Sequence, residues 1–164
     1  MKDLASRSPL NVRLHTPLVA AAIALGGCGQ ASPGYDDPRA DSADVARVAR
    51  GERVYAEHCA SCHGAKLEGQ PNWRSRQPNG RLPAPPHDET GHSWHHPDRV
   101  LFAITKNGLV PPYAPKGYES DMPAFAGTLS DAEIWAVLAY LKSHWTSPEV
   151  LEAREQMTRN AERP

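Results

Sequence analysis

The run Cys59-Ala60-Ser61-Cys62-His63 constrains this chain more than any other stretch. C-x-x-C-H is the spacing at which two thiols add across the two vinyl groups of haem and the adjoining imidazole becomes an axial ligand of the iron. Two intervening residues let both sulfurs reach one edge of the porphyrin while His63 turns under its face. Other readings of the motif fit less well. A structural zinc site takes about four ligands, and the chain holds no second cysteine pair. A thioredoxin-like dithiol sits within a βαβ pattern, and none surrounds this motif. The expected cofactor is one covalent haem c on Cys59, Cys62 and His63.

A chain of 164 residues, 40% of them hydrophobic, builds one small domain with appendages. Sixteen prolines and twelve glycines, with few runs of strict alternation, predict an all-α fold with long loops around the haem. The 18 basic residues nearly balance the 19 acidic ones, and no basic stripe stands ready to neutralise phosphates, which sets nucleic acid aside as a partner. With two of the three cysteines on haem, Cys28 has no disulfide partner and needs its own explanation.

That explanation lies at the N-terminus. Lys2, Arg7 and Arg13 precede the apolar run 18–25, which is too short to span a bilayer, so residues 1–27 read as an export signal. Leu25-Gly26-Gly27-Cys28 resembles a bacterial lipoprotein cleavage box, although Gly26 is a less usual occupant of its position. The resemblance implies a lipid on Cys28 that holds the protein on the periplasmic side of a membrane, each buried CH₂ adding about 0.8 kcal/mol. An ordinary secretory signal is the alternative, and it too takes the chain out of the cytoplasm. Residues 28–42 are polar and rich in turn formers, and read as a flexible tether.

The domain spans 43–146. Ser42 or Asp44 caps a helix that runs to about Glu57, with Val45, Val48, Gly51 and Tyr55 on one face. Gly51 costs about 0.5–1 kcal/mol relative to alanine in a helix interior, which becomes understandable if another helix backbone crosses there. Ser130 and Glu133 form a capping box, stapled by Leu129 and Ile134, for a helix whose stripe is Ile134, Val137, Leu138 and Leu141. That stripe is the best partner for the Gly51/Tyr55 face. Pro97 opens a third helix, ended by Gly108, with Val100, Leu101 and Ile104 inward.

Between these helices Met122, in a loop stiffened by Pro123, is placed to meet the iron from the face opposite His63. A His/Met pair suits electron transfer, because Met raises the potential and a closed sixth position discourages oxygen chemistry. With Gly51-x-x-x-Tyr55 before the C-x-x-C-H run, Met122-Pro-Ala-Phe-Ala-Gly127, and Ala139-Tyr-Leu-Lys142 in the last helix, residues 43–146 resemble the bacterial mono-haem class I cytochromes c. The resemblance implies terminal helices crossing near a Gly and an aromatic around a His/Met-ligated haem. It also implies a backbone carbonyl from a proline loop that orients the axial His, for which Pro83-Ala84-Pro85-Pro86 is the candidate stretch.

His87, His92, His95 and His96 form an unusual cluster. His92, His95 and His96 could gather copper or zinc, one histidine could displace Met122 from the iron, or the cluster could simply bind haem propionates and pack over the haem edge with Trp94. Residues 147–164 read as a charged, solvated tail or a loose helix. The leading function is a one-electron carrier without enzymatic activity, whose redox partners dock briefly at the haem edge, alone or as the cytochrome subunit of a larger oxidoreductase. The competing one is a haem-based ligand or metal sensor with an open sixth position.

Overall fold

A computed structural model describes residues 36–161. Five helices follow in order: α1 (Val45–His58), α2 (Ala60–His63), α3 (Asp98–Asn107), α4 (Asp131–Lys142) and α5 (Pro148–Ala161). Single 3-10 turns lie at Pro38–Ala40 and Ser93–His95, and no strand occurs among the described residues. The fold is all-α, as expected. The export signal at 1–27 and Cys28 lie outside the described residues.

The crossing of α1 and α4 organises the core. α4 begins at a complete capping box, in which the Ser130 side chain accepts from the Glu133 N–H and the Glu133 carboxylate accepts from the Ser130 N–H. Leu129 and Ile134 flank it, both buried. The expected stripe of Ile134, Val137, Leu138 and Leu141 is buried, but so are Trp135, Ala136, Ala139 and Tyr140. α4 is therefore a central helix, covered on all sides rather than amphipathic. α1 lies across it at Gly51, where a Cβ would stand 1.9 Å from the Ala136 carbonyl oxygen and 2.8 Å from the Tyr140 Cβ. Only a glycine admits this approach. Tyr55, one turn on, rests its ring 5.4 Å from that of Tyr140. α3 covers another side of α4, with Phe102 stacked on Trp135 at 4.3 Å.

Three expectations need correction. Val45, assigned to the buried face of α1, is 81% exposed, and Val54 is buried in its stead. Asp44 caps the helix one residue earlier, so Val45 lies in the first turn, beyond the reach of α4. The polar residues up to 42 are not wholly a tether, because Asp37 and Ala40 are buried. The Asp37 N–H donates to Asp98 Oδ2 at 2.8 Å, and its carboxylate holds Arg39 at 2.8 Å. Of the two readings of 147–164, the helix holds over Pro148–Ala161, and it is docked rather than loose. Val150 and Arg154 of α5 are buried, and Arg154 donates to the Trp94 carbonyl at 2.8 Å and to Asp98 Oδ1 at 2.9 Å. The last two corrections share a cause: Asp98, wholly buried at the start of α3, collects Arg154, Lys142 and the Asp37 backbone. Burial is the largest influence on Asp98 and pushes its carboxyl up, while Lys142 opposes it most strongly. Order imposed by one buried charge leaves no hydrophobic period to read.

Candidate functional site

The C-x-x-C-H run is a single helical turn set on the end of α1. Cys59 N–H donates to Tyr55 O at 2.9 Å, His63 N–H to Cys59 O at 2.9 Å, and Gly64 N–H to Ala60 O at 2.9 Å. Positions three and four apart share a helix face, so Cys62 and His63 follow Cys59 on one side. Gly64, at φ +83°, ends the turn, and its carbonyl accepts from the Tyr55 hydroxyl at 2.7 Å. Cys62 is exposed and Cys59 half-buried, neither in a disulfide. Burial, with Cys62 adding to it, pushes the Cys59 thiol up to about 11. It stays protonated at neutral pH, unlike the low-pKa thiolate of a redox dithiol.

His63 is buried, at 7% exposure, and its Nδ1 lies 2.8 Å from the Pro85 carbonyl oxygen. A carbonyl only accepts, so Nδ1 carries the hydrogen and Nε2 keeps its lone pair. Burial holds the imidazole below its usual range and the Pro85 bond opposes that shift. The ring is neutral, the state in which imidazole ligates a metal. The carbonyl falls within the Pro83–Pro86 stretch picked from the sequence. Gly69 makes its approach possible, at φ +68° and with a Cβ that would stand 2.4 Å from Pro86 N. Its N–H donates to His63 O at 2.7 Å, and Gln70 N–H donates to Ala84 O at 2.9 Å, which ties the two loop segments under the ring.

Met122 is partly buried against the core, and its N–H donates to Ser120 Oγ at 3.1 Å. Its loop is fixed to the end of α3 by Phe125 N–H to Thr105 O at 3.1 Å and Ala126 N–H to Lys106 O at 2.9 Å. Phe125 meets His58, the residue before Cys59, edge-on at 6.4 Å. On the other flank Arg81 pairs with Asp121 and Glu119. The Met122 loop is thus tied to α3 and, through Phe125, to the end of α1 just before Cys59. Two thiols on one turn, a neutral imidazole with Nε2 unprotonated and a thioether on a fixed loop form a donor set that fits haem c.

The other described histidines are dispersed over several packing contacts. Among the described residues no group of three or more His, Cys, Asp or Glu side chains is arranged to hold a metal ion. His92 stacks on Trp73 at 5.4 Å and meets His96 edge-on, while His95 stacks on Trp94 at 3.5 Å. Of the readings open for this cluster, packing over tryptophan faces is the one that the arrangement favours, and copper or zinc on His92, His95 and His96 gains no support from it. His87 stands apart, stacked on His63. Burial holds it well below the usual imidazole range, with His63 and His92 adding to the effect. Nothing in the sequence pattern distinguishes it from its neighbours. Trp145, whose Nε1 donates to the His87 carbonyl at 2.9 Å, carries no sequence signal of that contact either.

Among the described residues no helix is long and apolar enough to cross a membrane. The family model for cytochrome c matches residues 48–145. A thiosulfate dehydrogenase of Stutzerimonas stutzeri (strain A1501) is 30% identical over 117 residues, covering 68% of this chain and 33% of that protein. The chain therefore spans about a third of the length of this curated relative. No solved structure matches it significantly.

Proposed function

This chain belongs to the cytochrome c family, and from that premise we propose that it is a one-electron carrier in which Cys59 and Cys62 hold haem c through thioethers while His63 and Met122 are the axial ligands. Haem c, when bound, supplies an iron couple that passes between ferrous and ferric. The chain's own residues do the rest. Pro85 fixes the tautomer of His63 and presents Nε2, and the Met122 thioether, bound to the iron, would close the site to dioxygen and peroxide. The observation that carries this reading is the 2.8 Å contact between His63 Nδ1 and Pro85 O, which directs one lone pair of a buried imidazole away from the loop. Met122→Ala in the haem-loaded protein is expected to lower the midpoint potential and open the ferrous iron to carbon monoxide. An unchanged spectrum and potential would sink the His/Met assignment.

The carrier works outside the cytoplasm, held on the periplasmic face of a membrane by a lipid on Cys28, as the apolar run and the Leu25-Gly26-Gly27-Cys28 box support. Cys28→Ser is expected to move it from the membrane to the soluble periplasmic fraction; retention in the membrane would contradict the anchor. Its redox partners dock at the haem edge through small, short-lived contacts. Likeness to part of a dehydrogenase favours a second reading, in which the same haem is the electron-transfer module of a larger oxidoreductase. Co-purification of a stoichiometric catalytic subunit with the anchored protein would decide for it.

A further inference from the structure

Behind the axial imidazole lies a second one. The His63 and His87 rings stack with centroids 4.0 Å apart and planes 26° from parallel. We propose that His87 is a positioning residue for the haem ligand, a flat ring locked in place by its own hydrogen bonds so that it sets the plane of His63.

The need for such a residue follows from what Pro85 leaves undone. A hydrogen bond at Nδ1 fixes the tautomer and one vertex of the ring. Because Nδ1 lies off the axis of the bond that joins the ring to Cβ, it also restrains rotation about that bond, but a single contact on a torsion whose energy well is broad leaves the ring room to tilt about the N···O line. A second ring lying flat against the first restricts that tilt, because tilting His63 drives its edge into His87. An aliphatic side chain would fill the same volume without defining a plane.

His87 is itself held on three sides. Its Nδ1 lies 2.7 Å from Ser93 Oγ, and Ser93 is buried. Its backbone N–H donates to Leu67 O at 2.8 Å and its carbonyl accepts from Trp145 Nε1 at 2.9 Å. Leu67, buried and at φ 66°, adopts a left-handed conformation that residues with a Cβ rarely take. It aims at His87 the carbonyl that receives that N–H. Tyr55, whose hydroxyl holds Gly64 next to His63, also meets the His87 ring edge-on at 6.5 Å. Pro85 and His87 stand two residues apart, so one short segment supplies both the in-plane and the facial restraint.

The inference rests on His63 being an axial ligand, and its test separates the two claims. Haem-loaded wild type, His87→Leu, His87→Phe and Ser93→Ala are compared by electron paramagnetic resonance of the ferric state and by midpoint potential. The wild-type spectrum first reports whether imidazole is bound; without it, the ligand assignment and the inference fall together. With imidazole bound, His87→Leu is expected to change the g anisotropy and shift the potential, and His87→Phe, which restores a flat ring, to return both towards wild type. Ser93→Ala, which keeps the ring but frees it, is expected to broaden the g-value distribution, and it serves where a His87 variant fails to fold. Wild-type values in His87→Leu, equal changes in the Leu and Phe variants, or an unbroadened Ser93→Ala spectrum would overturn the positioning role while leaving His63 as ligand.

Discussion

Gly51→Ala makes the sharpest test of the helix crossing, because two effects of opposite sign compete at one atom. On helix propensity alone, alanine should stabilise α1 by about 0.5–1 kcal/mol. The added Cβ, however, would stand 1.9 Å from the Ala136 carbonyl oxygen, where real Cβ atoms do not come within 3.0 Å. The obstacle is backbone on the central helix, so no side chain can swing aside, and α1 and α4 must part by about an ångström. A radial gap of that size forfeits about a quarter to a half of each dispersion well across the interface. Overpacking of this kind costs roughly 1–3 kcal/mol, and a rigid obstacle puts the cost near the top of that range. After the propensity gain, the net loss is about 2 kcal/mol, or roughly 10 °C in Tm for a domain of this size. Urea and thermal unfolding of the haem-loaded protein, followed by far-ultraviolet circular dichroism, measure it. The reverse exchange on the exposed face, Ala56→Gly, calibrates the propensity effect and should cost only about 0.5–1 kcal/mol. A Gly51→Ala variant as stable as wild type would refute the crossing geometry.

Other outcomes follow from the same structure. Arg154→Met removes a cation from the buried Asp98 and should destabilise the fold by about 3 kcal/mol, with loss of the α5 helical signal and faster amide exchange over 148–161; an ordered α5 in that variant would contradict its role as anchor. Glu133 is held down to about 2 by the Ser130 hydroxyl, then by the Ser130 N–H and Arg50. Its folded value lies below the unfolded 4.5, so its stabilisation is present above about pH 4.5 and is lost as pH falls through 2. Glu133→Gln should therefore lose less stability than wild type between pH 5 and pH 2, and parallel losses would argue against the capping box in solution. Arg81→Ala cuts an exposed tie to the loop of Met122 and should lower stability only slightly, with the deficit shrinking at high salt, as thermal unfolding at two ionic strengths would show.

What could be read from the sequence was what local patterns encode. The capping box at Ser130 and Glu133 is complete within four residues, and α4 begins there. The glycine at 51 marked a close approach because a helix interior has no other use for it. The Pro83–Pro86 stretch came from family resemblance, and Pro85 supplies the carbonyl. What escaped depends on contacts between residues far apart in the chain. Asp98 orders both the start of the described chain and α5, through partners 61 and 56 residues away. His87 looks like one more histidine in a polar loop until the fold lays it on His63. The packing of the histidine cluster was hidden for the same reason, since spacing alone does not reveal that Trp73 and Trp94 lie on the ring faces of His92 and His95.

The central claim, a closed His/Met haem that carries one electron, is tested most directly by the visible and near-infrared spectra of the exported, haem-loaded protein in both oxidation states, with carbon monoxide added to the reduced form. The account predicts a low-spin haem, a weak near-infrared charge-transfer band in the ferric state from sulfur ligation, and no response to carbon monoxide. A high-spin spectrum that shifts with carbon monoxide would contradict it, leaving Met122 off the iron and an open site for ligand sensing or catalysis.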